Sequence, residues 1–288
     1  MSKLDIGLRQ GKLLCQMKHN ERIDFLAEGL PIILDSARGF WAASQEISSM
    51  PREADVLINH AEEEAAKILI VMDIVRCPQK LCPSKIGPMV RWFYDHLARL
   101  IYANATSWKP MHVTQLREYV DDTRKAHYLE GEFGEYIAPN WEISSRESKL
   151  YADIEAYEDG ERGWNAPRSF SGSLPAFMPP ALAVTEALSA LGIFCPEGLR
   201  AVAEIWDVLE FRDTQGFADS RRFTEQLLTR IVEEKLATQA AEQVHVARIY
   251  DSWQMPMYNF DFTLIHVPIE ELKRERDAYF YAERGLGW

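Results

Sequence analysis

The sequence predicts an all-α protein, a helical bundle with one irregular insertion and additional helices after it. Three observations carry that expectation. Apolar side chains recur at three- and four-residue spacing over most of the chain, and prolines and acids stand where helix starts favour them. One stretch, residues 130–168, breaks the pattern with glycines, aromatics and β-branched residues.

The elements follow in order. Ile23, Leu26, Leu30, Ile33, Leu34 and Ala37 form an apolar stripe on a helix over residues 21–47. Pro51 suits the first turn of the next helix, and Glu53 and Asp55 suit its positive end. Its stripe runs Ala54, Leu57, Ile58, Ala61, Ala65, Ile68, Leu69, Met72 before Cys77-Pro78 ends it. A third helix is expected over 84–103, with Val90, Phe93, Leu97, Leu100 and Ile101 inward, and a fourth over 113–128. In 130–168, Tyr136, Ile137, Trp141, Ile143, Tyr151, Ile154, Tyr157 and Trp164 leave room for a short hairpin that packs down on the bundle. After Pro179-Pro180, helices are expected over 181–192, 196–209, 218–237, 239–252 and 268–283. The organisation expected is a helical domain over 1–168, carrying the insertion, with 169–288 packed on it.

Composition narrows the function classes. With 47% hydrophobic and 26% charged residues in 288, the chain is neither disordered, collagen-like nor a disulfide-built miniprotein. The longest aliphatic run, Ile68–Met72, is far short of the roughly 20 residues of a membrane span, so no membrane partner is expected. The first ten residues hold no apolar signal region, which predicts a cytoplasmic protein. Cys15 and Cys195 read as small core residues. Cys77 and Cys82 form half of a zinc pattern that no second pair completes, so a turn between helices is expected there and no metal.

Net charge is −12, the wrong sign for indiscriminate nucleic-acid binding. Yet from Arg76 to Lys109 the cations are Arg76, Lys80, Lys85, Arg91, Arg99 and Lys109, and Asp95 is the one acid. This basic island could meet a phosphate backbone locally, or serve as a solvated helix face. Serine-hydrolase elbows, phosphate-binding glycine loops, the dinucleotide fingerprint, a His-Glu-x-x-His zinc helix and paired Glu-x-x-His motifs are all absent from the sequence.

Inside the island lies Arg91-Trp-Phe-Tyr-Asp-His96, the one place where an arginine precedes a histidine by four to six residues. A guanidinium and an imidazole suffice for metal-free RNA cleavage, because the 2′-hydroxyl of RNA is itself the nucleophile. The histidine moves protons near neutrality, and the planar cation holds the phosphate as its charge shifts. On an ideal helix the two side chains would diverge by roughly 140° and rise about 7.5 Å. A helix distortion, or two copies meeting at a two-fold axis, is needed to bring such a pair to one phosphate.

The segment Ala54–Pro78, with Glu63-Glu64-x-x-Lys67, resembles the Glu-Glu-x-x-Lys helix of AbiV-type abortive-infection proteins. These belong to the HEPN superfamily, whose ribonucleases carry Arg-x(4–6)-His on a later helix. Arg91 and His96 match that motif in the expected order. Arg146-Glu-Ser-Lys-Leu-Tyr-Ala-Asp153, with Trp164 and Pro167 downstream, is similar to a further segment of the group, with Ala152 replacing valine. The resemblance spans roughly residues 25–168. It implies a HEPN bundle paired as a homodimer and a metal-independent endoribonuclease leaving a 2′,3′-cyclic phosphate. It further implies a role in antiphage defence or as a toxin, with an antitoxin or phage-derived protein as partner and no cofactor. Trp92 stands where active members often carry a polar residue, so packing or dimerisation competes for that position.

The expected catalytic pair is therefore Arg91 and His96, supported by Glu63, Glu64, Lys67 and Tyr94, with Lys85, Arg99 and Lys109 contacting RNA. Each has a plainer alternative. Glu63 and Lys67, one turn apart, could form a surface ion pair, whereas a carboxylate beside His96 would orient its ring. Tyr94 could donate to a phosphate oxygen or pack. Trp108, Trp141 and Trp164 could stack bases or pack. The competing function is a catalytically inactive helical module for interaction or regulation.

Overall fold

The computed structural model describes residues 8–132, 134–156, 162–168 and 177–283. Tyr157 and the 168/169 boundary segment lie outside or at the edge of these residues, as does the chain start. The helices are α1 (Leu8–Gln16), α2 (His19–Glu46), α3 (Pro51–Arg76), α4 (Cys82–Tyr94), α5 (His96–Ala105), α6 (Val113–Thr123), α7 (Trp141–Leu150), α8 (Pro180–Ala190), α9 (Pro196–Trp206), α10 (Phe217–Glu233), α11 (Gln243–Ser252) and α12 (Ile269–Glu283). None of them is long and apolar enough to cross a membrane. The mostly helical class is as expected, and the C-terminal helices fall close to their expected bounds.

α3 is the axis of the molecule. Its first half shows one apolar face, but from Ile68 to Arg76 every residue is buried, because α2, α4, α5, α8 and α9 surround it. The two charges in that buried half are satisfied internally. Arg76 pairs with Asp73 and donates to the Gln254 carbonyl at 2.8 Å, while Asp73 accepts from the Tyr102 hydroxyl at 3.1 Å and the Met257 amide at 2.7 Å. One hydrophobic cluster runs from Leu14 to Phe262, so residues before and after the insertion share a core.

The expected helix over 84–103 is two helices. Asp95 leaves the helical region (φ −92°, ψ 126°) and caps α5 by accepting from the Ala98 amide at 2.9 Å. The insertion likewise holds more than one hairpin. Strands β1 (His127–Glu130) and β2 (Tyr136–Pro139) pair antiparallel with Leu129 opposite Ile137, and β3 (Asp153–Ala156) pairs with β4 (Arg162–Asn165) with Ile154 opposite Trp164. α7 lies between the hairpins. Asn140, buried, anchors it: the side chain accepts from the Ile143 amide at 3.0 Å and donates to the Thr123 and Lys125 carbonyls, each at 2.7 Å. β1 begins where the fourth helix was expected to continue, so α6 stops at Thr123.

Gly192, in the turn from α8 to α9, has φ +75°, and a Cβ there would lie 1.9 Å from the Leu236 carbonyl oxygen. Gly192→Ala is expected to cost about 2 kcal/mol or more. Thermal unfolding of the variant should then fall by about 4–8 °C, at roughly 2–4 °C per kcal/mol.

A candidate active site around Glu63 and His96

Glu63, on the α3 face turned toward α5 and α7, is buried at 2% exposure. A lone buried carboxylate would be forced to protonate, and here three donors hold it charged. Arg146 Nε of α7 donates to Oε1 at 2.6 Å. Arg99 of α5 lies 3.1 Å from Oε2 and His96 Nδ1 2.8 Å from it. Burial pushes the Glu63 carboxyl up, but the His96 hydrogen bond and the Arg99 and Arg146 charges outweigh it and hold the group down at about 2.

The Arg99 nitrogen also lies 2.7 Å from His96 Nδ1. A guanidinium only donates, so the two short contacts to Nδ1 are not both hydrogen bonds. If Nδ1 were bare, its lone pair would face the Glu63 anion at 2.8 Å. With Nδ1 protonated, the ring and Arg99 stand side by side as two donors to Oε2. In that tautomer the Nε2 lone pair is available. The imidazole side chain is 55% exposed although its partner is buried, so the ring is held from behind and open in front.

Arg99 and Arg146, two cations on the one Glu63 anion, leave that group of three with an excess positive charge. Glu64 and Lys67 add none, because they pair with each other. The expected Glu63–Lys67 pair therefore does not form: Glu63 turns inward, and Lys67 sits over the Phe93 ring at 5.5 Å. His60, one turn before Glu63 on α3, stacks at 5.3 Å on Phe40. Burial first, against the raising pull of Glu63, holds it below the usual histidine range. Beside it Glu62 is pushed up to about 7 by burial.

Arg91 stands in the last turn of α4 on the exposed side, and its side chain makes no ion pair or hydrogen bond among the described residues. One residue on, Trp92 turns inward against Phe262, ring centroids 4.8 Å apart. Trp92 is thus a packing residue, and its burial directs Arg91 to solvent, since neighbours on a helix differ by about 100°. The break at Asp95 separates Arg91 from His96, so the continuous-helix divergence does not apply to them.

The remaining expected residues are more scattered. Arg99 is a correction: it is buried at 7% exposure and engaged with Glu63, so its guanidinium is not the free surface cation that was expected. Lys85 is half-buried, and Lys109 is exposed with Asp251 at 3.7 Å. Tyr94 is 40% exposed, edge-on to Phe93 at 5.1 Å. Trp108 leans on Tyr119 at 5.1 Å, while Trp141 and Trp164 are largely exposed. An apolar cavity of about 470 Å³ between α1, α2, α3 and α4 touches Phe93 and Tyr94 but none of the charged cluster. No three metal-ligating side chains converge among the described residues.

No protein family, curated protein or solved structure matches this chain. The cluster therefore speaks through its own chemistry. It presents an exposed imidazole held at Nδ1 by a buried carboxylate, two guanidinium groups behind it and, on the preceding helix, a guanidinium without a partner among the described residues.

Sequence reasoning missed Arg146 as a site residue and set His60 aside for want of a zinc partner. A signal for Arg146 exists: Glu142, Arg146 and Lys149 stand at i, i+4, i+7, and each meets a polar group of the bundle. Asn104 donates to Glu142 at 2.7 Å, Arg146 bonds Glu63, and Lys149 donates to Asn59 at 3.2 Å.

Proposed function

We propose that the protein is a metal-independent endoribonuclease of HEPN type, with His96 as the proton-transfer group and Arg91 as the phosphate clamp. The observation that carries this reading is the exposed His96 ring, held from behind at Nδ1 by the buried carboxylate of Glu63. Oriented imidazoles with one free nitrogen are suited to general acid–base work near neutral pH.

In the proposed reaction, His96 Nε2 takes the proton of a 2′-hydroxyl. The freed oxygen attacks the adjacent phosphorus, the P–O5′ bond breaks, and a 2′,3′-cyclic phosphate and a 5′-hydroxyl result. The leaving oxygen needs a proton, which a protonated His96 of a second protomer would supply if the protein pairs as a homodimer. Arg91, solvent-facing and without an internal partner among the described residues, would hold the non-bridging phosphate oxygens. Arg99 and Arg146 position Glu63 and through it His96. The acidity of the rest of the chain suits a protein that binds RNA at one place and repels it elsewhere.

The test is cleavage of single-stranded RNA in the presence of EDTA, with product ends mapped. Cleavage with 2′,3′-cyclic phosphate ends is expected, and Arg91→Ala should lower its rate about 10²-fold or more without changing helix content. Absence of cleavage by wild type would support the inactive interaction module instead, and full activity of Arg91→Ala would remove the phosphate-clamp role from Arg91.

A further inference from the structure

The Cys77-Pro78 to Cys82-Pro83 segment, which the proposed reaction does not use, joins α3 to α4. The Leu81 and Cys82 amides both donate to the Pro78 carbonyl, at 2.8 and 3.3 Å, and wind the turn back on itself. Cys82 Sγ consequently comes within 3.6 Å of the Cys77 carbonyl oxygen, which brings the second thiol back onto the residue that carries the first. Both are reduced, and they are 4% and 6% exposed. The turn is pinned to the C-terminal half of the chain, where the Gln79 amide donates to Asp207 at 2.6 Å. Two buried thiols on one short turn form an arrangement in which one can trap an oxidised state of the other.

We infer that Cys77 and Cys82 form a reversible dithiol–disulfide pair, oxidised within one chain by hydrogen peroxide. Cys82 is the attacking group: it is the first residue of α4, at the helix end that favours an anion, whereas Cys77 follows the last residue of α3, at the end that disfavours one. The Cys82 thiolate attacks one peroxide oxygen and the O–O bond breaks. A sulfenic acid forms, and the departing hydroxide takes a proton and leaves as water. Cys77 then attacks the Cys82 sulfur, the S–O bond breaks, the S–S bond forms, and a second water leaves. Two electrons pass from the sulfurs to the peroxide, and a small dithiol reductant reverses the step. The bond would tie the last turn of α3 to the first turn of α4, the helices that carry Glu63 and Arg91. Its detection does not depend on the ribonuclease reading.

The experiment treats folded full-length Cys15→Ser, which lacks the exposed cysteine, with stoichiometric hydrogen peroxide, followed by intact-mass measurement and peptide mapping. Expected are the loss of two hydrogen masses, a Cys77–Cys82 linked peptide, a retained Cys195 thiol and full reversal by dithiothreitol. In Cys77→Ser, the sulfenic acid on Cys82 should persist and be captured by dimedone. Cys82 ending as sulfinic acid with Cys77 still alkylatable would overturn the proposal, as would both thiols unreacted while Cys195 oxidises. The linked-peptide readout on protein with both thiols intact decides the matter even if a variant folds poorly.

Discussion

His96→Ala should abolish the proposed RNA cleavage, lowering the rate by about 10²–10⁴-fold, the range that positioned proton transfer contributes. The same substitution should leave the fold nearly untouched. The ring is more than half exposed, and Glu63 keeps Arg99 and Arg146 when it is gone. Loss of one charge-assisted hydrogen bond from an exposed group costs on the order of 1 kcal/mol. Circular dichroism should therefore overlay that of wild type, with thermal unfolding lowered by only a few degrees. Unchanged cleavage by a folded His96→Ala protein would remove the assignment, because no other described imidazole is both exposed and oriented by a buried carboxylate. His60 is half-buried against Phe40, which makes His60→Ala the natural control.

Glu63→Gln should produce the largest loss of stability, about 3–5 kcal/mol, the cost of leaving buried charges without their counter-ion. Arg99 and Arg146 would face an amide that offers one acceptor where two charged oxygens stood, and the imidazole would lose the anion beside its Nδ1. At roughly 2–4 °C per kcal/mol, unfolding should move down by about 6–20 °C. The pH dependence follows from the depressed carboxyl. With the folded value at about 2 against an ordinary 4.5, the contribution of Glu63 is fully present above about pH 4.5 and is lost as pH falls toward 2. It amounts to on the order of 3 kcal/mol. Wild type should show a steep acid limb in that window, and Glu63→Gln should flatten it. An acid limb of equal steepness in both proteins would mean that Glu63 is not the group that titrates. Activity separates positioning from simple bracing: a bracing role predicts that cleavage recovers at temperatures where the variant is folded, a positioning role that it stays depressed there.

The helices with an apolar stripe were readable because burial on one face imposes the period directly. α2 and α3 show this, as do the C-terminal helices. What escaped was governed by polar contacts. α7 has no fully buried residue, and it docks through the Glu142, Arg146, Lys149 row and the Asn140 cap, which apolar periodicity does not register. The division of the expected 84–103 helix was similarly hidden, since apolar residues continue on both sides of Asp95. Asp95 is a good capping residue, but capping becomes visible only when the backbone turns there. The same applies to Glu63, Glu64 and Lys67. Spacing allows Lys67 either partner, and the positions of α5 and α7 assign Glu63 to the interior and Lys67 to Glu64.

By itself the sequence determined the helical class, the basic island inside an acidic chain and the residue types able to move a proton and hold a phosphate. Those properties follow from composition and from the 3.6-residue period, which are local. Only the tertiary structure decided that His96 is open and Arg99 closed, that Trp92 packs, and that Glu63 gathers three donors from two other helices. A buried carboxylate stays charged only where distant segments bring cations to it, and that convergence is a property of the packed chain, not of any stretch of it.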